Sequence, residues 1–207
     1  AVSADSRQIY QFLNIGTAKP TSEELAVVPH HLIDFLLPNQ PYSAGQFAQD
    51  ASQAIQTILR KGKIPIIVGG TGFYIQALTE GIVPIPQVSP TILAELETKT
   101  DEEIYHQLQE VDPAAAAKIA PQNRQKLIRA LSVYQETNIP FSAFLSAKKQ
   151  KYSHYEFSIV WLKRNRDELY RRIDLRSQKM LDSGLIEETQ AILNKGFTAE
   201  APGLKSI

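Results

Sequence analysis

The sequence predicts an α/β protein whose parallel-sheet core is interrupted by a helical insertion, and three observations carry that expectation. First, an amphipathic helical pattern over Phe47–Leu59 leads into a short β-branched run, Lys63–Val68, which ends in Gly69-Gly70 and gives way to a second helical pattern. Helix, apolar strand, glycine turn and helix in that order make up parallel sheets, because parallel strands need a crossover between them. Second, strand patterning disappears from Ile82 onward, behind Pro84, Pro86 and Pro90. Third, it returns at Tyr155–Leu162. Residues 1–81 and 155–207 are therefore expected to form the core, and residues 82–154 a helical lobe.

The elements follow in order. Asn14–Pro41 is rich in Pro, His and Thr with weak periodicity, and reads as a long ordered loop with short helical pieces. In the first long helix Phe47, Ala51, Ala54, Ile55, Ile58 and Leu59 share a face, and Gly62 supplies the stop. Lys63-Ile-Pro-Ile-Ile-Val68 reads as a strand buried on both faces. Phe73–Leu78 begins the next helix. In the lobe, Ile92–Thr98 and Asp101–Val111 are helical, the latter with Ile104, Leu108 and Val111 in phase. Asp112-Pro113 opens a run of four alanines, with Asp as the cap and Pro in the first helical position. Leu127, Leu131 and Tyr134 line one side of Arg124–Gln135. After the strand-like Tyr155–Leu162 comes the helix Asp167–Asp182, with Gly184 just past its end. A last helix, Ile186–Asn194, ends at Gly196, and Phe197–Ile207 is irregular.

Composition narrows the function. Lys plus Arg and Asp plus Glu number 22 each among 207 residues, so the net charge is zero and any nucleic acid must be met by a local patch. With no cysteine, disulfides, thiolate catalysis and Cys-ligated zinc are excluded. The longest apolar run, Ile64–Val68, is far too short to cross a bilayer. The opening residues lack the basic-then-apolar pattern of a signal peptide. Motif-like residues begin abruptly, so an earlier natural start is expected.

Few residues carry chemistry. Asp5 follows a short segment readable as a strand end, where α/β sheets bind ligands; it is either a general base or metal ligand, or a turn cap. His30-His31 is adjacent in sequence and has no third ligand nearby, so a hydrogen-bonding role is expected. Gly69-Gly70-Thr71-Gly72 is either an anion-binding turn or a simple reversal. Asp101-Glu102-Glu103 is a solvated helix start. Arg176 shares the face of Ile173 and Met180, which is expected to pack toward the sheet. Its guanidinium must reach either an anion or solvent. Arg172, Arg176 and Lys179 line up at helical spacing. Arg124, Lys126 and Arg129 make a second basic cluster, a solvated face by default. The chain contains no G-x-x-x-x-G-K-[ST] segment.

Several segments, taken together and in order, resemble the tRNA dimethylallyltransferase family. They are Ser3-Ala-Asp-Ser-Arg-Gln-Ile-Tyr10, Asn14-Ile-Gly-Thr-Ala-Lys-Pro20, Pro29-His-His-Leu-Ile-Asp34, Tyr42-Ser-Ala44 and Ile64-Pro-Ile-Ile-Val-Gly-Gly-Thr-Gly-Phe-Tyr74. Val111-Asp-Pro-Ala-Ala-Ala-Ala-Lys-Ile119, Arg129-Ala-Leu-Ser-Val-Tyr134, Arg172-Ile-Asp-Leu-Arg-Ser-Gln-Lys-Met-Leu181 and Leu204-Lys-Ser-Ile207 continue the match. The resemblance implies a P-loop-NTPase-like core with a helical, tRNA-binding insertion. It implies transfer of a dimethylallyl group from dimethylallyl diphosphate to the exocyclic amine of the adenosine next to the anticodon, with Mg²⁺ assisting the diphosphate and nucleotide (ATP) binding as a family trait.

Carried over position by position, the resemblance makes Asp5 the general base and Arg176 the diphosphate-binding arginine. It makes Asp5, Ser6, Arg7 and Gln8 the stretch that holds the target nucleotide. Gly72 becomes a tRNA-facing turn residue, and Gln125, Lys126, Leu127, Ile128 and Arg129 a tRNA-contacting segment. No metal ligand is implied. The partners implied are the tRNA anticodon stem-loop and dimethylallyl diphosphate, with no membrane, for a cytoplasmic monomer. The family's P-loop belongs before Ser3 and further tRNA-contacting helices after Ile207, so a truncated and by itself inactive piece is expected. Two other readings share parts of the pattern. An adenylate isopentenyltransferase or nucleotide kinase would not need the insertion, and a non-catalytic RNA-binding module would not need Asp5 or Arg176.

Overall fold

The computed structural model describes residues 1–152 and 154–205, and it divides into two compact units, Ala1–Gly81 with Lys151–Ile207, and Ile82–Gln150. Ser153, Ser206 and Ile207 lie outside the described residues, and with them the end of the Leu204–Ile207 motif.

In the first unit, β1 (Val2–Ser3) pairs in parallel with β2 (Ile67–Val68), Val2 facing Ile67 and Ser3 facing Val68. The loop between β1 and the first long helix carries one short helix, α1 (Ser22–Val27), started by a Thr21–Glu24 capping box. A second capping box, Ser43–Gln46, starts α2 (Ala44–Arg60). The α2 stripe Phe47, Ala48, Ala51, Ala54, Ile55 and Ile58 is buried, and Leu59 alone of the expected face is exposed. Gly62, at φ +67°, turns the chain toward β2. From the far side of the Gly69-Gly70 turn, α3 (Gly72–Thr79) packs on α2, with Phe47 stacked on Tyr74 at 4.5 Å between ring centroids. Burying Phe47 contributes roughly 1.5–3 kcal/mol. Helices α9 (Arg166–Asp182) and α10 (Leu185–Asn194) complete the unit. Ile192 of α10 joins Ile9, Tyr10, Leu13, Ala201 and Leu204 in a small core.

Three expectations for this unit are corrected. The strand expected over Lys63–Val68 forms only at Ile67–Val68 and is not buried; Ile64 is 86% exposed. Tyr155–Leu162 forms no strand, and Trp161 and Leu162 are 86% and 94% exposed. No residue of α9 is buried; Leu169, Ile173 and Leu181 are exposed and Met180 is half-buried, so the stripe meant for the sheet packs on none. The two strand-like runs share one reason. Apolar pattern records which surface is suited to burial, but a strand exists only where a neighbour takes up its hydrogen bonds. Among the described residues β1 is the one strand beside β2, and none lies beside Tyr155–Leu162.

The second unit is helical: α4 (Pro90–Glu97), α5 (Asp101–Val111), α6 (Pro113–Ala116), α7 (Arg124–Thr137) and α8 (Phe141–Leu145). Its core is Leu96, Ile104, Leu108, Ala115, Ala116, Leu127, Ala130 and Leu131. Asp112 caps α6 through Ala115 N–H at 3.0 Å and also accepts from the Ser142 N–H and hydroxyl, both at 2.7 Å. The buried carboxylate thus ties α6 to α8. Asn138, left-handed at φ +56°, ends α7. The unit's two chain ends meet in an antiparallel bridge between Ile82 and Gln150, with hydrogen bonds of 3.1 and 2.7 Å. Among the described residues no helix is long and apolar enough to cross a membrane.

Candidate active site

The carboxyl end of β1 runs straight into a turn built around Asp5. Asp5 Oδ1 accepts the backbone N–H of Arg7 at 2.8 Å and of Gln8 at 3.2 Å, so one carboxylate oxygen is fixed by the turn it caps. Asp5 Oδ2 has no hydrogen-bond partner among the described residues. The capping reading of Asp5 is therefore part of its geometry and leaves the second oxygen free for chemistry.

The glycine turn is bound against this segment. Ala4 N–H donates to Val68 O at 2.7 Å and Thr71 N–H donates to Ala4 O at 3.1 Å. Thr71 Oγ1 accepts Ser6 N–H at 2.9 Å and lies 3.3 Å from the Ser6 hydroxyl. A Cβ on Gly69 would sit 2.2 Å from the Ala4 carbonyl oxygen, so only glycine permits this approach. Gly72 is exposed, with open space where a side chain would stand. Beneath the turn Tyr74 is buried, and burial, followed by its neighbours Tyr10 and Asp5, pushes its phenol up to about 12. Tyr74 and Tyr42 meet edge to face at 6.2 Å, and the Tyr42 hydroxyl donates to Asp50 at 2.6 Å.

Two members of the expected nucleotide-holding stretch are turned inward. Arg7 Nη1 donates to Pro202 O at 2.5 Å. Gln8 uses both ends of its amide: Oε1 accepts the Ser3 hydroxyl at 3.0 Å, and Nε2 donates to Thr17 O and Ala18 O at 3.2 and 3.1 Å. His30 and His31 serve the backbone. His30 Nδ1 lies 2.7 Å from Val28 O, and His31 is bridged to Val2 beside β1. Burial holds the His31 imidazole below its ordinary pKa.

Arg176 stands on the exposed face of α9, with no hydrogen-bond or ion-pair partner among the described residues. Its neighbours differ. Arg164 and Arg172 share Glu168 at 3.1 and 2.9 Å, and Arg166 contacts Tyr170. The packing of Arg176 against the sheet is corrected along with the rest of α9.

In the helical unit Gln125 and Lys126 are exposed on α7, and Lys126 is a cation whose ammonium has no partner among the described residues. Arg129 is exposed by surface area, with one guanidinium nitrogen 3.4 Å from Pro86 O. Leu127 is fully buried in the unit's core, so a tRNA contact through its side chain is corrected to a packing role; Ile128 is half-buried beside it. Arg124 leaves the basic cluster: it donates to Lys99 O, Glu97 O and Asp101, capping the carboxyl end of α4.

Residues the sequence reading did not single out frame the site. Glu188 of α10 accepts the N–H groups of Asn14, Ile15 and Gly16. Lys19, with a side chain 6% exposed, donates to Tyr10 O, Asn14 Oδ1 and Asp34. Lys19 lies in the Asn14–Pro20 segment that carried the family resemblance, while nothing around Glu188 in the sequence marked it.

A parallel strand end carrying a half-free carboxylate, locked to a glycine turn, is the place where α/β cores bind ligands. The IPP transferase family model matches residues 8–207. The chain is 47% identical over 206 residues to tRNA dimethylallyltransferase 1 of Citrifermentans bemidjiense and 40% identical to the tRNA dimethylallyltransferase of a Sulfurihydrogenibium species. Both alignments cover the whole chain and 67% of the relative, so the chain spans about two thirds of the length of these curated relatives. Among solved structures it resembles the tRNA delta(2)-isopentenylpyrophosphate transferase of Staphylococcus epidermidis, with TM-score 0.59 and 34% identity over 99% of the chain and 69% of that protein. It also resembles a eukaryotic dimethylallyltransferase acting on tRNA, with TM-score 0.79 and 27% identity over 99% of the chain and 53% of that protein. The chain belongs to the IPP transferase family of tRNA prenyltransferases, and its fold class is the P-loop-like α/β class.

Proposed function

We propose that the protein transfers a dimethylallyl group from dimethylallyl diphosphate to the exocyclic amine of the adenosine beside the tRNA anticodon. Asp5 carries the reading: a carboxylate at a strand end with Oδ1 fixed by two amides and Oδ2 unpartnered. The adenine amine is a poor nucleophile until its proton leaves, so Oδ2 takes that proton as the N–C bond forms and the C–O bond to diphosphate breaks. Arg176, without an internal partner, is the cation that meets the departing diphosphate, where charge develops in the transition state. The adenine must leave its stack to be reached. Its turn neighbours Ser6 and Gly72 and the exposed Gln125, Lys126 and Arg129 supply the RNA-facing polar groups. Tests of this reading use the protein made from its complete gene.

The family resemblance implies Mg²⁺ and a nucleotide-binding (ATP) site. Among the described residues no group of three or more Asp, Glu, His or Cys is placed to hold a metal ion. Mg²⁺ is ordinarily held by one or two carboxylates plus phosphate oxygens and water. In this reading it is held chiefly by the diphosphate it neutralises. We further propose a cytoplasmic monomer. The test is incubation with unmodified tRNA and dimethylallyl diphosphate, followed by nucleoside mass spectrometry. One five-carbon prenyl group on an anticodon-loop adenosine supports the reading; modification of free AMP in place of tRNA overturns it.

A further inference from the structure

The Asn14–Lys19 loop is held in a way that its own sequence does not require. Three consecutive amides converge on one carboxylate: Asn14 N–H lies 2.8 Å from Glu188 Oε2, Ile15 N–H 2.8 Å from Oε2 and 3.1 Å from Oε1, and Gly16 N–H 3.1 Å from Oε1. Successive N–H groups of this kind form an anion-binding nest. Here a side chain from the first turn of α10 fills the nest, where the helix dipole also favours a negative charge. Lys19 pins the loop's other end to Asp34 and the Tyr10 carbonyl. Between the two anchors the Thr17 and Ala18 carbonyls face one way and receive both N–H groups of the Gln8 amide. Ala18 is left-handed at φ +48°, a conformation that an L-residue keeps only when its surroundings enforce it.

Gln8 is the next link. Its side chain is held at the oxygen end by Ser3 on β1 and at the nitrogen end by the loop, while its backbone N–H donates to Asp5 Oδ1 at 3.2 Å. The orientation of Asp5 is set by that amide and its neighbour at Arg7. A continuous run of hydrogen bonds therefore leads from α10, through the loop and Gln8, to the carboxylate at the strand end.

We propose that Glu188 is a positioning residue for Asp5, acting through the Asn14–Ala18 loop and the Gln8 side chain. The proposal rests on the reading of Asp5 as the general base. Neutralising Glu188 leaves three amides without their anion, frees the loop carbonyls and loosens Gln8. Asp5 then samples orientations in which Oδ2 misses the amine. A misplacement of about 1 Å caused far from the chemistry costs up to about a hundredfold in turnover.

The experiment is a double-mutant cycle on the full-length enzyme with tRNA and dimethylallyl diphosphate. Glu188→Gln keeps the shape and removes the charge, and Glu188→Ala removes both; Asp5→Asn and the Asp5→Asn/Glu188→Gln pair complete the set. The expected result is a kcat about tenfold or more below wild type for Glu188→Gln, with KM for both substrates within about threefold. The double variant should be no slower than Asp5→Asn alone, because Glu188 has nothing left to act through. Faster amide exchange confined to Asn14–Gly16 and Gln8 should accompany it. Multiplying effects in the double variant, or an unchanged kcat in Glu188→Gln, overturns the proposal. Should Glu188→Ala fail to fold, Glu188→Gln decides alone. Full activity in Asp5→Asn instead overturns the reading of Asp5, and so separates the two failures.

Discussion

The helical unit and the α/β unit obey the same hydrophobic arithmetic with opposite results. In Ile82–Gln150 each apolar stripe found a partner within the unit: Ile104 and Leu108 of α5 face Leu127 and Leu131 of α7, and Asp112 fastens α6 to α8. In the other unit, α2 and α3 close on each other, while α9 buries nothing and Ile64, Ile66, Val68 and Ile159–Leu162 stay exposed. Polar construction concentrates in that second region, around Asp5, Gln8, Lys19 and Glu188. A helix satisfies its backbone by itself and needs its neighbours only for one face; a strand needs them for every hydrogen bond. The helical unit accordingly finds its packing partners within itself, and the α/β unit holds its loops chiefly through polar contacts.

The comparison breaks most visibly at Asp5. Asp5→Ala should lower kcat by roughly 10²–10⁴, the range for loss of a general base, with a smaller effect on tRNA affinity. Steady-state kinetics on the full-length enzyme checks this, and unchanged kcat would reduce Asp5 to a turn cap. Next in size is Leu127→Ala, which should destabilise by roughly 2–5 kcal/mol through a cavity in a closed core. Denaturant unfolding measures it; a value near zero would mean that α7 is not core-bound and that Leu127 is available to RNA after all. Arg176→Ala should cut kcat/KM more than about tenfold, with Arg176→Lys recovering only part because the bidentate fork is lost. Because Arg176 has no internal partner, its removal should leave the melting temperature unchanged. Smallest is Leu175→Ala on exposed α9, expected within about 0.5 kcal/mol of wild type. A large loss there would show that something covers α9 in solution.

How much could be read beforehand follows the same division. In the insertion Asp101–Val111 and the start of α7 at Arg124 were legible to the residue, because caps such as Thr100, Asp112 and Asn123 act locally, whereas both ends of α4 and the end of α7 were one or two residues off and α8 was not read. The strand-like runs misled because β-branched pattern specifies a surface without specifying its partner. Asp5 was legible from its place after a strand, but the hydrogen bonds that hold it were not. Glu188 meets Asn14–Gly16 across more than 170 residues of sequence, and the Arg7–Pro202 bond spans 195. Leu127 was carried into the RNA-contacting segment by its position between Lys126 and Ile128, although its helical phase with Leu131 already placed it inside.

The Ile82–Gln150 bridge bears on how the chain folds. A long insertion ordinarily burdens the segments that it separates, because bringing them together costs more entropy as the intervening chain lengthens. Here the insertion's two ends are hydrogen-bonded to each other. Once the helical unit has formed from its largely local contacts, the remaining chain sees only the short gap between those ends, a tether of a few residues' worth of slack. The search that pairs β1 with β2 and brings α10 to the Asn14–Gly16 loop then proceeds as though the sequence were shorter by the whole unit. Forming the helical unit first is thus the route of lower closure entropy, and a short turn joining Gly81 to Lys151 is a substitution that would lengthen no loop of the first unit.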